Sequence, residues 1–131
     1  MTSPRAKKLA KKYFKWWTNW LGLRSGKIDL CFVDYIKENI AGSGATYINP
    51  DVVGKCWTDW RYQETTIQLS MHKLRKLDKK NIEKCIVHEL MHVFLNEMRE
   101  QGYDNKSIDH EEHVATQLQK AFMWVREGAK E

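Results

Sequence analysis

His88 and His92 stand four residues apart, with Glu89 beside the first. An α-helix turns once in 3.6 residues, so a four-residue step puts both imidazoles on one face. Both can then reach a single metal ion. Neutral imidazole suits zinc, and two protein nitrogens leave room for a third ligand and a water. Glu89 falls about 60° from His92 at 100° per residue, beside such an ion rather than on it. From there a carboxylate takes the proton of an activated water. The chemistry expected is zinc-assisted hydrolysis, with His88 and His92 as ligands and Glu89 as general base.

The competing reading is a pair of core histidines satisfied by hydrogen bonds alone. The segment around them is apolar on most sides, through Ile82, Cys85, Ile86, Val87, Leu90, Met91, Val93, Phe94 and Leu95. A polar group buried there without a partner costs about 1–3 kcal/mol, and a bound ion supplies partners. Cys85, one turn before His88, is a soft donor, but small buried cysteines are common in cores and packing explains it.

A third ligand must come from downstream, where His110-Glu111-Glu112-His113 offers four donors. Val114, Leu118, Phe122 and Val125, with Ala115 and Ala121, mark a buried stripe on the last helix. Glu111 falls near its centre, where a carboxylate needs a partner. Glu112 lies off the stripe and matches a capping box with Asp109. Glu111 is therefore the first choice and Glu112 the alternative, with His110 and His113 left open. If the motif helix extends to residue 100, its end lies about 12 Å beyond His92, and the chain must climb back to the ion. Tyr103, His110 and His113 are the nearby groups that could stabilise an oxyanion.

His88-Glu89-x-x-His92 followed by Glu111-Glu112 resembles the gluzincin group of zinc metallopeptidases. That resemblance implies a third glutamate ligand on the next helix, and its thermolysin-type spacing favours Glu112 over Glu111. The chain is more similar in length to the minimal HExxH domains of phage and bacterial metallopeptidases, including the ImmA-like and SprT-like groups. Leu95 and Met98 stand where a metzincin would carry a glycine and a third histidine. The likeness covers residues 62–125. It implies a zincin-like fold, with a sheet-edge strand just before the motif helix on which an extended peptide could pair. Residues 62–70 fit that position.

The elements that must position these groups follow from patterning. Pro4 suits a first helical turn. Leu9, Tyr13, Trp16, Trp17, Trp20 and Leu21 recur at helical spacing opposite Lys7, Lys8, Lys11, Lys12 and Lys15. This predicts an amphipathic helix within residues 1–24, ending near Gly22. Residues 28–34 read as a strand, 42–50 as a loop flanking a short strand near Tyr47, and 52–57 and 62–69 as two strands joined by a turn at 58–61. In the last of these Thr65, Ile67 and Leu69 share one side. Asp78 is the expected N-cap of the motif helix, which runs from 79 toward 100 with Gly102 as its stop. The final helix is expected over 109–127. Helix, strands and two helices make one α+β domain, with a short, mostly antiparallel sheet.

Bulk properties set the remaining expectations. The 131 residues suffice for one modest core. No apolar run approaches a membrane span, and no secretory leader is evident. The three scattered cysteines do not suggest a disulfide framework, which fits a cytoplasmic protein. Residues 1–27 carry eight Lys or Arg and no acid, within a net charge of +5. That basic helix could steer the chain toward nucleic acid, or could simply be a solvated face. Function is thus expected to be peptide-bond hydrolysis by zinc, acting on a peptide or protein. The alternatives are a nucleic-acid- or protein-binding module with structural zinc, and a hydrolase of another amide or ester.

Overall fold

A computed structural model describes residues 1–23, 28–40, 42–59, 64–96 and 105–129. The expected Gly102 stop lies outside them. Helix α1 (Ser3–Trp20) is followed by strands β1 (Ile28–Val33), β2 (Ile36–Asn39), β3 (Thr46–Asn49), β4 (Gly54–Asp59) and β5 (Glu64–Ser70). Helices α2 (Met71–Leu74), α3 (Lys79–Asn96) and α4 (Asn105–Ala129) complete the order, and the class is α+β. None of the described helices is long and apolar enough to cross a membrane.

The sheet carries one departure that matters for the site. Its order is β1-β5-β4, with β1 parallel and β4 antiparallel to β5. The strand preceding the motif helix is therefore central, not the edge strand expected over 62–70. Pairing with residues far away in sequence decides which strand is outermost, and alternation within a strand does not encode it. Among the described strands β1 and β4 are the edges, and β4 is the one packed on the motif helix. Thr65, Ile67 and Leu69, expected on one side of the strand, are its buried side. Strands β2 and β3 form a separate antiparallel hairpin with Glu38 opposite Tyr47. The strand near Tyr47 was expected, but the polar β2 was not.

Helix α1 is capped by Thr2, whose Oγ1 accepts from the Arg5 amide, with Pro4 in the first turn. Gly22 takes φ +74° just after the helix, a conformation suited to glycine at a C-terminal stop. The buried face differs from the expected aromatic stripe. Ala6, Ala10 and Trp17 are fully buried, whereas Trp16 and Trp20 stay partly exposed and stack on each other. Small alanines let α1 pack closely on the core.

Helix α3 starts where Asp78 caps it, its Oδ1 accepting from the Asn81 amide at 2.9 Å. It packs on α1, α4 and β4, which accounts for its nearly all-round apolar character. Helix α4 starts at Asn105, four residues before the expected start. Asp109 therefore lies inside the helix, and the expected capping box with Glu112 does not form an N-terminus. The buried row of α4 is Glu111, Ala115, Gln119 and Met123, at four-residue steps. Val125 and Ala121, expected on the buried stripe, are exposed.

One polar cluster ties the three long helices together. Glu83 on α3 is buried, accepts from Trp17 Nε1 at 2.8 Å and from Arg126 on α4 at 2.6 Å. The Arg126 guanidinium also lies 4.7 Å from the Trp16 ring centroid. A buried carboxylate is tolerable only with such partners. Glu83→Ala would leave Arg126 charged and unpaired, and should lower stability by about 3 kcal/mol in urea denaturation. A loss under about 1 kcal/mol would contradict the clamp.

Candidate metal centre

Helix α3 presents His88, Glu89 and His92 toward α4 and β4. Glu111 and Glu112 lie about two turns into α4, at the level of His92 on α3. The two glutamates meet the same ring from different sides. His92 Nδ1 is 2.7 Å from Glu111 Oε1, and both residues are buried. His92 Nε2 is 2.9 Å from Glu112 Oε1. Glu112 Oε2 lies 3.1 Å from His88 Nε2, and the two Nε2 atoms are 3.3 Å apart.

Three donor atoms thus converge, one each from His88, His92 and Glu112, within 4.8 Å of one another. Tetrahedral ligands about 2.0–2.1 Å from zinc lie about 3.3 Å apart. The two imidazole nitrogens stand at that separation, and the Glu112 carboxylate spans them with one oxygen on each ring. Glu111, the first choice from sequence, is not among the three donors. The expectation that a carboxylate on the buried stripe needs a partner holds, but its partner is Nδ1, the ring's other nitrogen. Carboxylates only accept, so both His92 nitrogens carry hydrogen toward them, and loss of the Nε2 proton would free that lone pair for a metal beside His88 and Glu112. Glu112 stays 55% exposed at its side chain, which is why burial patterning passed it over.

The remaining expected groups fall outside this constellation. Tyr103 lies outside the described residues. His110 and His113 are on exposed positions of α4, with no described contact to the centre.

Electrostatics follow from the geometry. Burial pushes the Glu89 carboxyl up to about 7, against the opposing pull of the His92 and His88 rings. Burial also disfavours a charged His92, but hydrogen bonds to Glu112 and Glu111 outweigh it and raise that ring to about 9. Hydrogen bonds from His88 and His92 hold Glu112 well below the usual carboxylate range. Burial raises the Cys85 thiol to about 11, which disfavours the thiolate a metal would need. That agrees with reading Cys85 as packing.

A cleft of about 620 Å³ opens beside these groups, walled by Val52 to Cys56 on the β4 side and by His88, Glu89, His92 and Glu112. Gly54 was missed in the sequence. A Cβ there would sit 2.9 Å from Glu89 Oε1 and 3.0 Å from Leu69 Cδ2. The absent side chain makes room for the carboxylate, and a glycine opening a strand was the available signal. At the far wall Glu38 is fixed by Tyr47 Oη at 2.7 Å and Asn49 Nδ2 at 3.0 Å, which lower its pKa.

No family profile, curated protein or solved structure matches this chain.

Gly54→Val should force Glu89 and Leu69 to move and cost about 1–3 kcal/mol by overpacking, read from urea denaturation. Unchanged stability would show that the close approach of β4 to Glu89 has slack.

Proposed function

We propose that the chain is a zinc-dependent peptidase, with the ion held by His88 Nε2, His92 Nε2 and the Glu112 carboxylate. The observation that carries this reading is the convergence of two imidazole nitrogens and the Glu112 carboxylate, with one donor atom from each within 4.8 Å of the others, facing a cleft with a buried glutamate. Two imidazoles and a carboxylate are a donor set used by catalytic zinc, and three protein ligands leave a position open. Bound there, zinc would polarise a carbonyl and bring the pKa of water toward 7. Glu89, buried beside these donors, is placed to take a proton from the attacking water and give it to the leaving amine. Glu111 fixes the orientation and tautomer of His92 from behind, as outer carboxylates do in zinc sites. This also replaces Glu111 with Glu112 as the proposed third ligand.

A peptide substrate is supported by β4. Among the described residues its outer edge is unpaired in the sheet, and its first residues line the cleft. An extended chain could add to that edge with its backbone beside the ligand triangle. The purely structural zinc reading has less support, because such sites are closed by four protein ligands. Exposed Lys7, Lys8, Lys11, Lys12 and Lys15 on α1 support a separate, additional proposal, contact with nucleic acid. Binding that weakens steeply with salt would be its signature.

Metal content by mass spectrometry tests the ligand set. About one zinc per chain is expected in the wild type and in Glu89→Gln, and almost none in Glu112→Ala. Glu111→Ala should keep zinc but bind it about 10–100-fold more weakly. Full occupancy in Glu112→Ala would overturn the ligand assignment. Glu89→Gln should also abolish cleavage of casein while zinc stays bound, and retained cleavage would remove Glu89 as base.

A further inference from the structure

Gln119 is out of place in the core of α4. It belongs to the buried row Glu111, Ala115, Gln119 and Met123, and is only 7% exposed. Its neighbours one turn away, Ala115 and Met123, are apolar. Its Nε2 nevertheless makes no hydrogen bond among the described residues. Buried amide groups almost always have a partner, so an orphaned donor calls for an explanation, such as a water, an ion or a ligand that meets it.

The side chain borders the cleft, and a small rotation of the covered Nε2 would bring it to a partner there. Gln119 lines it together with Glu112, His88, Glu89 and Cys85. Seven residues separate Gln119 from Glu112, two turns on one helix, so the two lie on similar faces about 10 Å apart along the axis. An extended peptide advances about 3.3 Å per residue. A chain seated at the ligand triangle would therefore reach Gln119 within roughly three residues.

We propose that Gln119 is a substrate-binding residue, whose Nε2 donates a hydrogen bond to a backbone carbonyl of an extended peptide in the cleft. This rests on the peptidase reading. The assignment accounts for a carboxamide where packing alone would select an apolar side chain. A carbonyl is the acceptor every peptide offers, so the contact adds affinity without demanding a particular side chain. Gln119 then acts on binding, while Glu89 acts on the proton.

The test uses zinc-loaded full-length chain carrying Glu89→Gln, with fluorescein-labelled casein as the extended probe and anisotropy as the readout. Adding Gln119→Met or Gln119→Leu, of similar volume without the donor, should weaken casein binding about three- to tenfold. Zinc content should not change, and the urea midpoint should stay or rise, because an unpaired buried donor has gone. In the otherwise wild-type chain the loss should appear mainly in KM. Unchanged casein affinity in both variants would overturn the assignment while leaving the peptidase reading intact. So would a loss of stability with zinc release, which would make Gln119 a structural residue. If the Glu89→Gln parent holds zinc yet does not bind casein, the peptide reading itself falls and this inference with it.

Discussion

The arrangement of this molecule depends on His92 being held between two consecutive glutamates. Residues 111 and 112 diverge by about 100° on α4, so both reach one imidazole only if the ring stands edge-on against that helix. One carboxylate takes Nδ1 at 2.7 Å and the other takes Nε2 at 2.9 Å. This fixes the rotation of α4 about its axis and its height along α3 at once. It also divides the labour between the carboxylates. The buried Glu111 orients the ring, and the half-exposed Glu112 meets His88 at the mouth of the cleft.

Holding two helices in that register requires a second anchor, and Glu83 provides it. It lies nine residues before His92 on α3, about 13 Å along the axis, and binds Arg126 of α4 and Trp17 of α1. The two polar clamps flank a largely apolar core that includes Ile86, Val87, Leu90, Ala115 and Met123. Hydrophobic contact alone is non-directional and would allow the helices to slide. The clamps remove that freedom. The sheet adds the third wall, because β5 at its centre carries β4 outward to face α3, with Gly54 against Glu89.

Much of this was legible from residue type and spacing, and the gaps have physical reasons. The motif helix, its Asp78 cap and the buried Thr65-Ile67-Leu69 face depend on local periodicity, which a sequence displays directly. The position of β5 in the middle of the sheet depends on pairing with β1, thirty-odd residues earlier, which periodicity does not encode. The strand Ile36–Asn39 (Ile-Lys-Glu-Asn) is short and polar, and exists through its partner Thr46–Asn49. The proposed exchange of Glu111 for Glu112 as third ligand has a chemical reason. Burial correctly marked Glu111 as needing a partner, but an imidazole has two nitrogens and burial does not say which one is met. Gln119 was visible as a polar residue four positions from Ala115 and Met123, once α4 was placed in the right phase.

The most direct test of the metal centre is zinc-edge X-ray absorption on the zinc-loaded protein. Two cysteines, Cys56 and Cys85, line the same cleft as His88, His92 and Glu112, so the method separates the rival donor sets by distance. The account predicts a low-coordinate shell of nitrogen and oxygen at about 2.0–2.1 Å, with the outer scattering of two imidazoles and no sulfur. A sulfur contribution at about 2.3 Å, or a shell without imidazole, would contradict it.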